Sequence, residues 1–232
     1  MKLFRLFFKP ETLVPMLGLI FASAATVALV LARIIWTGKL RYAFLAGNLF
    51  LAWLPLVFVL LAQAGLRENK KPGWQFFGWS AAWLLFFPNA PYICTDLIHL
   101  KTHFFEHFWV DMVLILLTAF TGLVVGFVSL YLMHGVVTRL RGGLAGWVFV
   151  LVVAGLSSFG IYLGRFLRFN SWDVIARPAD LFHGIASWAA DPLASPVTFA
   201  FPLLFAAFLF IAYVMLYALT RLPQMNQPQP SA

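Results

Sequence analysis

Charge is scarce in this chain: Asp, Glu, Lys and Arg together make up 10% of 232 residues, and only 8 residues are acidic. There is one cysteine, Cys94, which excludes an intramolecular disulfide and a zinc cage built from cysteines. A phosphate-binding glycine loop, a serine nucleophile elbow, a CxxC pair and a nucleic-acid module are also missing, so those chemistries have no foothold. Hydrocarbon fills the space instead: 62% of residues are hydrophobic, 18% are aromatic, and mean hydropathy is +0.90. That composition belongs to a polytopic membrane protein. The formal net charge of +8 would suggest nucleic acid in a soluble protein. In a membrane protein it sets orientation and contacts anionic lipid, so the expected partners are membrane lipids and not nucleic acid.

Six apolar runs predict an all-α bundle: residues 13–35, 42–66, 74–87, 110–133, 144–166 and 197–219. Together they make one transmembrane domain over residues 1–222. The tail, residues 223–232 (PQMNQPQPSA), is polar and proline-rich and is expected to be disordered. The N-terminus imitates a secretory signal, with FASAA resembling a cleavage site, but its apolar run is too long for a signal core and reads as a retained first span. The third run is the short one. Its 14 residues give about 21 Å of helix, against a hydrocarbon core of about 30 Å.

That run ends in FFPNAPYICTDLIHL, residues 86–100, where polar groups interrupt the apolar chain. Such groups in a membrane cost free energy unless paired or used. Pro88 and Pro91 lack N–H groups and disfavour helical geometry at Phe87 and Ala90, so one helix stops and another starts. Asn89 is placed to cap the new helix, whose open N–H groups would favour an anion. The plainer alternative is a proline turn at the membrane surface. From Tyr92 to Phe120 there is no Pro or Gly, which predicts a continuous helix running into the fourth span, its first half amphipathic and interfacial.

With the N-terminus inside and six crossings, nine Lys and Arg fall inside and seven outside. Both termini are then cytoplasmic, and the polar motifs face outward. A re-entrant third segment would reverse everything after it.

Two constellations carry chemistry. On the predicted helix, Asp96, His99, His103, His107 and Asp111 form one stripe. Histidines four apart can chelate a metal. H-x-x-x-H is short, however, and lacks the glutamate of the zinc proteases, so His103 and His107 are weak candidates and read more simply as amphipathic filler. Asp96 and His99 sit against the break, where the carboxylate could raise the basicity of the imidazole and make it a general base. Their alternative role is to satisfy broken helix ends.

The second constellation is SSFGIYLGRFLRFNSWD, residues 157–173. Arg165 and Arg168 lie one turn apart and could converge on one anion, or snorkel to lipid headgroups. Asn170 or Ser171 would cap a following short helix. The pairs Gly122/Gly126 and Gly160/Gly164 predict close packing of the fourth span on the fifth. That packing would bring Asp111 level with Arg165 for an ion pair or relay. Pro55, Pro202 and the isolated Asn48 are accounted for by helix packing.

WLLFFPNAPYICTDLIHL, the WVDMVL and TGLVVGFVSLYLM runs, and SFGIYLGRFLRFNSWDV resemble the bacterial integral-membrane proteins catalogued as domain of unknown function 1361. The resemblance implies a bacterial inner-membrane location and places Asn89, Pro91, Tyr92, Asp96, His99, Asp111, Arg165, Arg168, Asn170 and Asp173 in signature segments. It carries no activity and no cofactor, and it leaves His103 and His107 out.

The resulting expectation is a pocket near the outer interface lined by Asn89, Tyr92, Asp96, His99, Arg165, Arg168 and Asp173. It would bind an anionic lipid or lipid-linked substrate, with acyl or phosphoryl transfer or hydrolysis assisted by His99 and Asp96 in an enzyme version. The rival readings are a small-solute or proton-coupled transporter and a membrane scaffold. No cofactor is implied.

Overall fold

Where no water is available to the backbone, a spanning segment must satisfy its own N–H and C=O groups, and long apolar runs do so as helices. The computed structural model describes residues 10–69, 72–102, 107–191 and 196–221, all of whose regular elements are helical. They are α1 (Pro10–Thr37), a 3₁₀ turn (Leu40–Tyr42), α2 (Ala43–Asn69), α3 (Trp74–Phe86), α4 (Asn89–Tyr92), a 3₁₀ helix (Ile93–Thr102), α5 (Phe108–Arg141), α6 (Gly143–Phe166), α7 (Asp173–Ala176), α8 (Pro178–Ala190) and α9 (Pro196–Leu219). Five of these helical stretches are long and apolar enough to cross a membrane: Leu13–Thr37, Leu40–Leu66, Phe108–Arg141, Gly143–Phe166 and Val197–Leu219. His103 and the tail lie outside the described residues.

The third run is built in pieces. α3 has 13 residues, about 20 Å of helix, and the chain then continues through α4 and the 3₁₀ helix. These pieces run antiparallel to α5: Trp83 donates to Ser129 Oγ at 3.2 Å, while Ala90 and Ile93 lie farther along, against Gly126 and Gly122.

Two apolar clusters form the core. One gathers Leu56, Trp83, Phe87, Phe127, Val153 and Tyr213, the other Val30, Leu45, Ala90, Ile93, Leu114 and Ile115. Phe87 belongs to the first and Ala90 to the second, so the residues between the prolines join the two.

The glycine pairs do not pack α5 directly on α6, as their spacing suggested. A methyl group on Gly126 would lie 2.6 Å from Ala90 Cβ, and one on Gly122 2.6 Å from Ile93 Cδ1. On the other helix, Gly160 faces Pro88 at 3.1 Å and Gly164 faces the Tyr92 ring at 3.2 Å. All four glycines line a slot that holds the Pro88–Ile93 stretch.

Nor is there one helix from Tyr92 to Phe120. Residues 93–102 form a ten-residue 3₁₀ run, longer than the three or four residues usual for this geometry. Side chains compete for its backbone: Thr95 Oγ1 donates to Tyr92 O at 2.7 Å, and His99 Nδ1 lies 3.0 Å from Asp96 O. The stripe expected from Asp96 to Asp111 is therefore split between two elements.

Candidate functional site

An uninterrupted helix would need N–H groups at positions 88 and 91, and proline supplies neither. Ala90 N donates instead to Phe87 O at 3.1 Å and Tyr92 N to Pro88 O at 3.0 Å. This leaves carbonyls at the end of α3, and side chains fill them. Asn89 Nδ2 donates to Phe86 O at 2.9 Å, and Ser171 Oγ donates to Leu85 O at 3.0 Å. Asn89 also donates to Ser171 Oγ at 2.9 Å, which ties the turn after α6 to the break. Asn89 thus closes the helix before it and does not cap the one after. The open N–H cluster expected here does not form, because Pro91 has no N–H and those of Ala90 and Tyr92 are in use.

Asp96 is 1% exposed and sits between α2 and α6. Asn48 Nδ2 donates to its Oδ2 at 2.8 Å, and an Arg165 guanidinium nitrogen donates to its Oδ1 at 2.5 Å. Arg165 also reaches Thr95 Oγ1 at 2.9 and 2.6 Å and lies 4.4 Å over the Tyr92 ring. A charge taken out of water needs this degree of compensation. Gly164 makes it geometrically possible, since a side chain there would displace the Tyr92 ring.

In the 3₁₀ helix, residues three apart are eclipsed, so His99 stands directly after Asp96. The backbone carbonyl of Asp96 holds its ring, while the carboxylate Oδ1 is 3.9 Å from Nδ1. A carbonyl only accepts, so in the neutral ring Nδ1 carries the proton and Nε2 the lone pair. The His99 ring also packs on Phe44 at 4.9 Å.

These groups line a cleft of about 640 Å³. Leu84, Leu85 and Pro88 line it at the end of α3, Phe44, Asn48 and Leu51 line it from α2, and Leu156, Phe159 and Leu163 line it from α6. Tyr92, Asp96 and His99 line it from the broken segment, and Leu181 and Ile185 from α8. The lining places the cleft against the last turn of α3 and the Pro88–Tyr92 stretch that follows it.

Of the residues expected at the site, Asn89, Tyr92, Asp96, His99, Arg165 and Asn170 line the cleft. Arg168 and Asp173 are not among its lining residues. Arg168 is exposed, with φ 60°, in the turn that ends α6. Arg165 is directed at Asp96, so the two arginines do not share one anion in this structure.

Asp173 organises the turn. Its Oδ2 accepts from Asn170 N at 2.6 Å, and Arg177 donates to both its oxygens at 3.1 and 3.0 Å. Hydrogen bonds from Arg177 and then from the Asn170 backbone hold its carboxyl below the usual carboxylate range. A depressed folded value stabilises above the unfolded value and is lost as pH falls through the folded one. NMR of carbon-labelled aspartate is therefore expected to show Asp173 still ionised at a pH where ordinary carboxylates are half protonated. Arg177→Ala should move its midpoint up toward that ordinary range, and an unmoved midpoint would refute the assignment.

Asp111 is an ion-pair residue, but its partner is Arg33 and not Arg165. Arg33 donates to Asp111 at 2.7 and 3.2 Å, and Tyr42 Oη donates to it at 2.9 Å. This second buried pair fastens α1 to α5. The His107 ring packs at a tilt on Trp36, 5.0 Å between centroids, and is not part of the cleft lining. Among the described residues, no three His, Cys, Asp or Glu side chains gather as a metal site requires.

Sequence reasoning passed over Asn48, Thr95 and Arg33 as functional partners. Asn48 had a usable signal, because an isolated polar residue within a span is a site hypothesis by default.

Long apolar helices around two buried ion pairs and a polar-walled cleft define an α-helical polytopic membrane protein. The chain belongs to the family described as protein of unknown function (DUF1361), whose model matches residues 48–217. Every lining residue named above except Phe44 falls within that match. No curated protein and no solved structure matches the chain.

Proposed function

We infer that the cleft binds a membrane amphiphile, an anionic lipid or lipid-linked molecule, with its headgroup against Tyr92, His99 and Arg165 and its chain along Leu51, Leu84 and Leu156. The observation that carries this reading is the mixed lining: Tyr92, Asp96, His99 and Arg165 share one cleft with Leu51, Leu84, Leu156 and Phe159. Both oxygens of Asp96 already accept from Asn48 and Arg165. The Tyr92 hydroxyl and the Arg165 guanidinium remain as donors, which suits a headgroup rich in acceptors such as phosphate or carboxylate.

The apolar side chains of Leu84, Leu85 and Pro88 in the lining favour a lipid over a hydrated solute. The glycine pairs that a scaffold would offer to partner helices are filled by the protein's own broken segment. We place the cleft in the outer half of a bacterial inner membrane, with both termini in the cytoplasm. In the enzyme version His99 Nε2 is the base, and Asp96 positions the ring through its backbone carbonyl.

Native mass spectrometry of protein extracted with its lipids tests the reading. Leu156→Trp, which enlarges a lining side chain, should lose a retained lipid mass that Leu151→Trp, on α6 outside the cleft lining, keeps. Equal retention by the two variants would refute binding in the cleft. His99→Gln should keep the lipid, and in the enzyme version it should also remove any processed product.

A further inference from the structure

α8 stands apart from the rest of the bundle in how it is held. None of its residues is buried, yet Leu181, Gly184, Ile185 and Trp188 are partly covered. Those positions are spaced by three, one and three, the stripe that one face of a short helix presents.

The stripe lies on the cleft and its rim. Leu181 and Ile185 line the cleft itself. Gly184 accepts the edge of Phe169, whose Cε2 would lie 3.0 Å from a methyl group at that position. Trp188 packs on Phe159 at 4.7 Å, and its Nε1 donates to Thr198 O at 3.2 Å. On the other side Phe182 is 70% exposed. At the start of the helix, the Asp173–Arg177 pair and the Ser171 contact with Leu85 fix the turn from which α8 springs.

The geometry points to α8 as a hinged cover of the cleft, one that opens to exchange the amphiphile and closes over its headgroup end. This inference rests on the lipid reading above. The fixed turn supplies the pivot, and the partial burial of four side chains supplies the closing contact. An element held this way opens at far lower cost than the buried core helices beneath it. Closing seats Leu181 and Ile185 on the cleft, two of its lining residues, and excludes water from it.

The test locks the cover at its rim, and because a side chain at position 184 would press on the cleft-lining Phe169, the same double variant before bridging supplies the reference rate. A methyl group at Gly184 would lie 3.5 Å from Leu167 Cδ1, and Leu167 is not a lining residue. In a Cys94→Ser background, Leu167→Cys and Gly184→Cys can be bridged by a short bis-methanethiosulfonate reagent and released by reductant. The protein is reconstituted in nanodiscs and loaded with a fluorescent phosphatidylglycerol. Its exchange against unlabelled phosphatidylglycerol should slow by about tenfold or more on bridging and recover on reduction. Trp188→Ala should speed it. Bound probe that exchanges at one rate in the bridged and reduced proteins overturns the cover while leaving the lipid reading intact. Failure of the Cys94→Ser parent, without the two added cysteines, to bind the probe overturns both.

Discussion

Arg165→Met is expected to destabilise the protein by about 3–5 kcal/mol, the cost of leaving a buried carboxylate without its cation. Asp96 keeps the hydrogen bond from Asn48 and the more distant His99 ring after this change, and Thr95 and Tyr92 lose the guanidinium that joins them to α6. The contrast with Asp173–Arg177 sets the scale. There the arginine side chain is 50% exposed, and water screens the pair and can replace a lost partner. At Asp96–Arg165 the two side chains are 2% and 14% exposed, so water cannot take over the lost partner's role.

The double variant Asp96→Asn, Arg165→Met separates charge from packing. It removes both ions, keeps an acceptor for Asn48 at position 96, and should recover most of the loss. Unfolding in mixed micelles, followed for wild type, each single variant and the double, reads the coupling directly. Equal stability of Arg165→Met and the double variant would show that the unpaired charge is not the cause.

The break at Pro88 and Pro91 was legible because proline removes a backbone donor whatever the tertiary context. Asp96 and His99 were legible because a polar group in a hydrocarbon sequence stands out against its neighbours. Their partners were less so. Arg33 and Asp111 are 78 positions apart, and their meeting depends on how far α1 slides along α5, a register that no local pattern encodes. The 3₁₀ helix was missed for a related reason: residues 93–102 contain no breaker, and the forces on them come from Asn48 and Arg165 on other helices. Anchoring Asp96 from outside selects the tighter coil over the α-helix that local propensity favours. The stripe of α8 was present at helical spacing but lay between spans, where a search for membrane-length runs does not look. The glycine pairs announced close approach correctly and left its partner open, since a missing side chain says only that something comes near.

That ambiguity makes Gly126 the sharpest test of the slot. Gly126→Ala places a methyl group 2.6 Å from Ala90 Cβ, and neither atom can move without shifting its helix. The expected cost is about 1–3 kcal/mol, in the range of overpacked cores. Gly122→Ala makes an equally short contact, but with Ile93 Cδ1, the far end of a side chain that can rotate, so it should cost less. Ala90→Gly in the Gly126→Ala background removes the colliding methyl and should restore stability, apart from about 0.5–1 kcal/mol for a glycine in a helix. If the cleft holds lipid as proposed, Gly126→Ala should also lower its retention, because Ala90 belongs to the segment whose Pro88, Asn89, Tyr92 and Asp96 line the cleft. Thermal unfolding in detergent, measured for both glycine variants and the rescued double, decides the matter. If the two glycines tolerate alanine equally, or if Ala90→Gly fails to rescue, the broken segment does not sit between α5 and α6 as described. The cleft it vacates would then lose its structural origin.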